Sequence, residues 1–373
     1  MKVGIIDADL LYRPGQRFPN VACMKISGFY KSKGHQTILV RDYQQIEAFD
    51  QIYLSKVFTD TYIPQKVLHE KKVSYGGTGF YYDQAPELPE EIEHHMPDYE
   101  LYREFVEKRL QEGEKQSKYK YFTDYSIGYL TRGCFRKCSF CVNRNSEKVK
   151  IASPIEEFLN PSRKKLCFLD DNFLACPEWE QILDSILEMD KRFLFRQGLD
   201  IRIMQKRQME KLFAGKLENV TFAFDDIADE PVIRKKLELL YETVSISKKE
   251  LKFYVLCGFD RSKKWGQDFW INDLKNTMKR IKILMQYGCL PYVMRYEKWK
   301  DAPEPYRGMY ITIGRWCNQP AQFTKKSLYD FCVSPGENSA NRYYHAFIQK
   351  HPEFAEYLCM KYEEVQNGEI HGG

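Results

Sequence analysis

The sequence predicts an α/β protein with two regions: a doubly wound parallel sheet at the amino terminus, followed by a longer series of strand–helix units. Two observations predict this class. Apolar strand-like runs alternate with helix-like segments along most of the chain, which is the pattern of parallel strands joined by crossover helices. The chain also has 373 residues, enough for two domains or for one large barrel with an appendage.

The amino-terminal region begins with a continuous apolar run over residues 2–10, which is typical of a buried parallel strand. Asn20 is the expected cap of the helix that follows. Further strands are predicted at 36–40, 51–55 and 72–75, with a helix at 64–70. Residues 1–85 are therefore predicted as the first domain, and the charged stretch 86–120 as a linker.

From residue 125 onward the pattern of strand, loop and helix occurs six times. The strands are predicted at 126–131, 165–169, 193–198, 219–224, 252–258 and 291–295. Amphipathic helices are predicted between them, for example at 179–189, 210–214, 231–244 and 267–286. Residues 121–320 are predicted as the second domain, and 321–373 as a helical extension.

Composition and charge limit the classes of function. The 43% of hydrophobic and 29% of charged residues are ordinary for a globular protein. The net charge of +5 is small and dispersed, so nucleic acid is not an expected partner. No apolar run approaches transmembrane length, and the chain begins as a strand rather than as a secretory signal, so no membrane partner is expected. Eleven cysteines without disulfide-like spacing favour a reducing compartment, and we expect a cytoplasmic protein.

Three cysteines, Cys134, Cys138 and Cys141, lie within eight residues directly after the first strand of the second region. Soft thiolates this close together favour a metal centre, and they can bind three corners of a [4Fe–4S] cluster while the fourth iron stays open. A closed zinc site needs a fourth ligand, and a two-cluster ferredoxin needs a further Cys-Pro nearby; neither accompanies this motif. Three buried cysteines with a structural role are the remaining alternative.

The octet that ends in Phe140-Cys141 resembles the C-x3-C-x-aromatic-C signature of the radical S-adenosylmethionine (radical SAM) superfamily. The resemblance implies a [4Fe–4S] cluster whose open iron is chelated by the amino and carboxylate groups of SAM, with Phe140 beside the adenine. It implies reductive cleavage of SAM to a 5′-deoxyadenosyl radical that abstracts hydrogen from a substrate. The six strand–helix units then correspond to the open (β/α)6 partial TIM barrel of this superfamily, in which chemistry occurs at the carboxyl ends of the strands.

The amino-terminal region resembles the cobalamin-binding domain that precedes many radical SAM barrels. The cobalt-ligating form of that domain carries Asp-x-His-x-x-Gly after its first strand, whereas residues 9–14 of this chain have the sequence DLLYRP. Because this loop lacks a histidine, cobalamin is not an expected cofactor. We expect a degenerate domain that is kept as a scaffold or as one wall of the pocket.

Polar residues at the predicted strand ends are the candidate SAM contacts implied by the resemblance. They are Asp170, Asp171 and Asn172 after the second strand, Gln197, Asp200 and Arg202 after the third, and Gly258 in the fifth. The first group corresponds to the segment that meets the SAM amino group, and the second to the residues that meet its ribose and carboxylate. Glycine in the fifth strand would let the backbone approach SAM closely. A helix cap and a structural Asp–Arg pair are the alternatives that the residues leave open.

Five residues are candidate substrate contacts because they follow the fourth strand or lie at and beyond the end of the sixth. They are Asp225, Asp226, Arg295, Arg315 and Asn318. The cysteine motif indicates how the reaction starts and leaves the substrate open. No second cysteine motif is present, which disfavours sulfur insertion, and the missing histidine disfavours methyl transfer. Hydrogen abstraction followed by bond cleavage or rearrangement is the expected reaction.

The overall layout is similar to that of the queuine lyases, radical SAM enzymes that release queuine from queuosine 5′-phosphate. The similarity implies a lyase, a small nucleoside-like substrate and an electron donor such as flavodoxin or ferredoxin. Asp226 would then contact the amine edge of the base, and Arg295 or Arg315 the phosphate. The alternatives are radical SAM modification of a peptide or transfer RNA, a cobalamin-type radical SAM methyltransferase, and a non-enzymatic iron–sulfur carrier.

Overall fold

The computed structural model describes residues 1–247, 250–333 and 338–369, and the chain divides into two compact units, Met1–Arg196 and Gln197–Gly373. This division falls inside the predicted second domain, so that three of the six predicted strands lie in each unit. The predicted domain bounds at 85, 120 and 320 remain predictions. Residues 334–337 and 370–373 of the predicted helical extension lie outside the described residues.

The first unit is built from short strands and helices whose order largely follows the predicted pattern. Its strands are Lys2–Asp7 (β1), Gln36–Leu39 (β2), Gln51–Ser55 (β3), Val73–Gly76 (β4), Tyr125–Gly128 (β5), Thr131–Arg132 (β6), Lys150–Ile151 (β7), Lys165–Phe168 (β8) and Arg192–Phe195 (β9). Its α-helices are Ala8–Tyr12 (α1), Val21–Ser32 (α2), Gln65–Leu68 (α3), Thr78–Tyr81 (α4), Glu90–Glu93 (α5), Arg103–Gln111 (α6), Lys120–Thr123 (α7) and Trp179–Glu188 (α8).

The first four strands form one parallel sheet in the order β2-β1-β3-β4, as the alternating pattern predicts. The order reverses at β1, which is the topology of a doubly wound sheet. The prediction of a strand over residues 2–10 was wrong at its end, because α1 begins at Ala8. The Asp7 carboxylate accepts a hydrogen bond from the Leu10 backbone N–H at 3.2 Å, which caps the helix and ends the strand.

Alternate residues of β1 belong to different cores. Val3 and Ile5 pack with α2 and α6, whereas Ile6 packs with residues of β3 and the segments around it. This period of two is what a strand covered on both faces requires. Gly4 lies at a close contact between β1 and β3, since an added Cβ would come within 2.5 Å of the Ile52 side chain.

A second parallel sheet in the first unit has the order β5-β8-β9. Its register aligns Gly128 with Phe168 and Phe168 with Phe195, so the carboxyl ends of all three strands lie at one edge. The segments that leave this edge are 129–133, which leads directly into the cysteine motif, and 169–172, which contains the predicted acidic group. The fold therefore brings these two sequence-predicted segments to the same place.

The second unit contains a third parallel sheet of three strands and, among the described residues, nine α-helices. The strand order in this sheet follows the chain. Its strands are Thr221–Ala223 (β10), Lys252–Cys257 (β11) and Leu290–Arg295 (β12). Its α-helices are Lys206–Ala214 (α9), Glu230–Thr243 (α10), Gln267–Gln286 (α11), Tyr306–Cys317 (α12), Pro320–Phe323 (α13), Leu328–Val333 (α14), Ser339–Lys350 (α15), Ala355–Cys359 (α16) and Tyr362–Glu369 (α17). Within the described ranges no helix, including the 20-residue α11, is both long and apolar enough to cross a membrane.

A buried polar network lies at the carboxyl end of β1. The Tyr102 hydroxyl donates to Asp7 at 2.8 Å and accepts from the backbone N–H of Asn20 at 3.0 Å. The Asn20 side chain in turn donates to the Ser55 hydroxyl at 3.0 Å. Burial raises the pKa of Asp7 to about 7, although the hydrogen bonds from Tyr102 and Leu10 lower it. The folded chain therefore keeps a proton on Asp7 at a pH where the unfolded chain has lost it.

We expect the Asp7→Asn variant to have a weaker dependence of stability on pH than the wild type. Between the ordinary value of 3.8 and about 7, the folded state binds more protons at this site than the unfolded state, so stability falls as pH rises. One such proton is worth about 1.4 kcal/mol per pH unit. Melting temperatures at about pH 5 and pH 7 measure the effect. The control is Asp60→Asn, which changes a carboxylate that is 63% exposed. Equal pH dependence in the wild type and Asp7→Asn would contradict the expectation.

Candidate functional site

The three predicted cluster cysteines lie in residues 133–149, here termed the cysteine loop, which joins β6 to β7. Cys134, Cys138 and Cys141 are free thiols and are half-buried. Gly133 has φ +98°, and a Cβ at this position would lie 2.3 Å from the Lys148 carbonyl oxygen. Glycine is therefore required where the two ends of the loop approach each other.

Backbone N–H groups point at two of the sulfurs. The N–H of Arg136 donates to Cys134 Sγ and the N–H of Asn143 donates to Cys141 Sγ, each at 3.4 Å. Burial raises the pKa of the Cys141 thiol, the Asn143 N–H lowers it, and the nearby Cys138 and Cys134 raise it further. N–H donors aimed at sulfur favour the thiolate, which is the form that binds iron.

Among the described residues, no three His, Cys, Asp or Glu side chains are arranged to hold a single metal ion. A [4Fe–4S] cluster requires a different arrangement of ligands, because each thiolate binds a different iron of the cube. The three sulfurs then surround the cluster rather than meet at one point. The cysteine loop fits this requirement, since its three free thiols are half-buried and lie within eight residues of one loop.

Asp170, the first residue of the predicted acidic group, holds the chain just before Gly133. Asp170 is 1% exposed and accepts hydrogen bonds from the Thr131 N–H at 2.7 Å, the Thr131 hydroxyl at 2.6 Å and the Leu130 N–H at 3.3 Å. Burial raises the pKa of Asp170 to about 7, while the bonds from Thr131 and Leu130 lower it. These bonds tie the end of β8 to the start of β6.

Asp171 holds the two sides of the cysteine loop together. One of its oxygens accepts from the Gly133 N–H at 2.8 Å, before the first cysteine, and the other accepts from the Asn143 side chain at 2.6 Å, after the last. A single carboxylate thus joins residues on either side of the three thiols. Hydrogen bonds to a charged group are stronger than those between neutral groups and contribute about 1.5–3 kcal/mol each to stability.

Asn172 reaches the sulfur of the first cysteine. Its side-chain nitrogen donates to Cys134 Sγ at 3.5 Å, and the residue is 3% exposed. Its side-chain oxygen is buried, and no hydrogen-bond partner for it is found among the described residues. An unpaired buried acceptor costs free energy and calls for an explanation, such as a donor from a bound group.

We expect Asp171→Ala to open the cysteine loop. The substitution removes the acceptor for both Gly133 and Asn143, so local opening should become easier by at least about tenfold. Early trypsin cleavage after the exposed Lys137, followed by mass spectrometry, measures this opening. Glu147→Ala is the matched control, because it removes an exposed carboxylate from the same loop. Cleavage of Asp171→Ala at the wild-type rate would show that this carboxylate does not hold the loop.

The second unit contains the other four candidate SAM contacts, and three of them already have partners within it. Asp200 accepts from Arg202 Nε at 2.8 Å, and Arg202 also donates to Asp229 at 2.8 Å. Gly258 has φ +75° and donates its N–H to Asp273 at 2.8 Å. The Gln197 side chain is exposed. Their role in binding SAM remains a prediction.

The candidate substrate residues lie in different surroundings. Asp225 accepts from the Leu256 N–H at 2.9 Å, and burial raises its pKa. Asp226 caps the turn at Ile227–Asp229 and forms an ion pair with Arg261 at 2.6 Å. Asn318 both donates to and accepts from the Val293 backbone, so it continues the hydrogen-bond pattern of β12.

The two arginine candidates are exposed side chains. The Arg295 guanidinium lies 4.3 Å from the centre of the Trp299 ring, and Arg315 is in the last turn of α12. Of the five candidates, these two are the most accessible to a ligand. The substrate roles of all five remain predictions.

Sequence reasoning missed side chains that position the strand ends of the second unit. Arg280 is 2% exposed and donates to the Phe224 and Leu256 carbonyls at 2.8 and 2.9 Å. Asp273 accepts from the Tyr310 hydroxyl at 2.7 Å as well as from Gly258. Arg280 and Asp273 lie inside the amphipathic pattern of α11, where a charged residue looks like part of the solvated face. The only feature of the sequence that pointed to these two residues was that each stands next to an apolar position of the helix.

Neither a protein-family profile nor a curated protein sequence matches this chain. A solved structure does match: TsrM from Kitasatospora setae, a radical SAM methyltransferase with cobalamin and a [4Fe–4S] cluster bound. It is 10% identical, covers 79% of this chain and 74% of its own, and has a TM-score of 0.52. The chain shares the fold of this enzyme. The predicted α/β class with parallel sheets is confirmed at that level, and the arrangement of the six units as an open (β/α)6 partial barrel remains a prediction.

Two further solved structures are less similar. TsrM with tryptophan substrate and the SAM analogue aza-SAM has 11% identity and a TM-score of 0.48, over 74% of this chain and 71% of that chain. The apo form of OxsB, a cobalamin-dependent SAM radical enzyme, has 12% identity and a TM-score of 0.45, over 94% of this chain and 61% of that chain. At these scores neither likeness carries an argument about this chain.

Proposed function

We propose that this protein is a radical SAM enzyme that binds a [4Fe–4S] cluster through Cys134, Cys138 and Cys141. The observation that carries the proposal is the environment of the three thiols. They are half-buried, two of them receive backbone N–H donors, and the first lies beside an asparagine whose buried oxygen lacks a partner among the described residues. The shared fold supports the same conclusion.

The residues of the cysteine loop fit both cofactors. Three thiolates leave one iron of the cube without a protein ligand, and SAM can chelate that iron through its amino and carboxylate groups. The unpaired Asn172 oxygen suits an N–H donor such as the amino group of SAM, which is the group that the resemblance assigns to this segment. When bound, the cluster supplies the electron that cleaves SAM, and the resulting 5′-deoxyadenosyl radical takes hydrogen from a substrate.

The protein's own contribution, on this proposal, is to hold and shield the reactants. Asp170 and Asp171 fix the cysteine loop, and Phe140 within it is the proposed neighbour of the adenine. Fixing these groups before SAM binds reduces the entropy that binding would otherwise cost.

We expect Cys138→Ala to lose the cluster and all cleavage of SAM. The measurements are iron and sulfide content after anaerobic reconstitution, and the yield of 5′-deoxyadenosine after reduction. Cys359→Ala is the matched control, because Cys359 is an exposed free thiol outside the loop and should leave both quantities unchanged. A Cys138→Ala protein that still produced 5′-deoxyadenosine would remove the proposed role of this cysteine.

For the reaction itself, we propose hydrogen abstraction from a small nucleoside-like substrate followed by bond cleavage. The candidate is release of queuine from queuosine 5′-phosphate, which rests on the resemblance of the overall layout to queuine lyases. Exposed Arg295 and Arg315 would suit the phosphate. Asp226 is the proposed contact of the base, and it would have to exchange its ion pair with Arg261 for that contact.

A second candidate is methyl transfer with cobalamin, which the fold of TsrM favours because that enzyme was solved with cobalamin bound. The segment after β1, residues 9–14, gives the opposite indication. It contains no histidine, most of it is helical in α1, and Asp9 accepts hydrogen bonds from the Thr61 hydroxyl and from the Val57 N–H, the latter at 2.6 Å. This segment does not fit cobalt ligation by a protein histidine, so we keep the lyase reaction as the first candidate.

Product analysis distinguishes the two reactions. We expect the reduced enzyme with SAM and queuosine 5′-phosphate to form 5′-deoxyadenosine and free queuine in equal amounts. Parallel incubations with hydroxocobalamin, followed by gel filtration and a visible spectrum, test for a bound corrinoid. Formation of 5′-deoxyadenosine without queuine would eliminate the lyase candidate. Co-elution of cobalamin with the protein would favour methyl transfer instead.

We also propose an acidic redox protein such as flavodoxin or ferredoxin as the electron donor. Lys137, Lys148 and Lys150 are exposed on or beside the cysteine loop, which gives a positive surface close to the proposed cluster. A low-potential cluster at a half-buried site is also consistent with the reducing cytoplasm expected from the cysteine content.

A further inference from the structure

A segment of the amino-terminal sheet domain contacts the cysteine loop directly. This segment, residues 77–84, follows β4 and is here termed the strap. The Tyr82 hydroxyl donates to the Phe140 carbonyl oxygen at 2.7 Å. Asp83 accepts from Arg144 Nε at 2.6 Å and from the Asn145 side chain at 3.0 Å. The strap therefore holds the residue proposed to contact adenine and the residues that follow the last cysteine.

The ion pair in this contact is partly shielded from water. The Asp83 side chain is 10% exposed and that of Arg144 is 38% exposed. The hydrogen bond from Arg144 lowers the pKa of Asp83 below its ordinary value. Arg144 also donates to the Ser139 carbonyl at 3.3 Å, and its guanidinium lies 5.5 Å from the centre of the Tyr82 ring. One arginine thus joins the strap to the turn between Cys138 and Cys141.

The strap is itself fixed to the amino-terminal sheet. The Gly79 N–H donates to the Lys56 carbonyl at 3.0 Å, and a Cβ at Gly77 would lie 2.3 Å from the same oxygen. Tyr82 has φ +50°, a left-handed conformation that is uncommon for residues other than glycine. Strained backbone of this kind persists where surrounding contacts hold it, and it is enriched at ligand clamps.

We propose that Tyr82 and Asp83 are positioning residues for SAM, which hold the turn Cys138–Cys141 and Phe140 in the geometry that binds the adenosyl group. The inference rests on the radical SAM function proposed above. It gives the amino-terminal domain a task in SAM binding that does not require a cobalamin. The hydrogen bonds that these two residues make go to the Phe140 carbonyl and to the Arg144 and Asn145 side chains, so we expect their effect on SAM to be separable from cluster assembly.

The test compares Tyr82→Phe and Asp83→Asn with the wild type after anaerobic reconstitution. We expect both variants to keep the wild-type iron content and to bind SAM about fivefold more weakly, because each variant loses or weakens one hydrogen bond that holds the turn. Affinity is measured as the SAM concentration that gives half of the change in the electron paramagnetic resonance spectrum of the reduced cluster. Tyr75→Phe and Asp60→Asn are the matched controls, because both change exposed side chains of the same domain.

A double-mutant cycle tests whether Asp83 acts through Arg144. We expect Arg144→Gln to weaken SAM binding like Asp83→Asn, and the double variant to be no weaker than either single one. Variants that bind SAM as the wild type does would overturn the inference, and so would a loss of iron that accounts for the whole loss of binding. If the wild-type cluster itself does not respond to SAM, both the inference and the proposed function are wrong. If the wild-type cluster responds to SAM and the variants bind SAM normally, only the inference is wrong.

Discussion

Three consecutive side chains hold a loop that has no regular secondary structure over its fully described length. Asp170 accepts from Thr131 just before the loop, Asp171 accepts from both sides of the loop, and Asn172 donates to the first cysteine sulfur. A loop of this kind cannot fix three thiols through a backbone ladder, so side chains from a neighbouring strand end must do so. Burying Asp170 is costly, as its raised pKa shows, and three hydrogen bonds offset that cost.

The parallel register of the sheet is what makes this arrangement available. Because β5, β8 and β9 run in the same direction, the segments after β5 and β8 leave one edge and meet there. The segment after β4 adds a second support through Tyr82 and Asp83. Supports from two sides leave the sulfurs half-buried, which would shield the proposed cluster and still leave it accessible to SAM.

The sequence predicted what depends on local pattern. The hydrophobic period located α11 at both of its ends, and the cysteine spacing located the loop. The same reasoning could not predict the hydrogen-bond partners of the site residues. Asp170 and Asp171 were predicted as SAM contacts, but in the structure their oxygens accept hydrogen bonds from residues 28 to 40 positions upstream. Tyr82 is 58 residues before Phe140, and no spacing rule links the two.

The most direct measurement of the central claim is electron paramagnetic resonance of the anaerobically reconstituted and reduced protein, with and without SAM. The account predicts the signal of a reduced [4Fe–4S] cluster, and a change in that signal when SAM binds the iron that has no protein ligand. A protein that takes up zinc or no metal, or a cluster whose signal is the same with and without SAM, would contradict it.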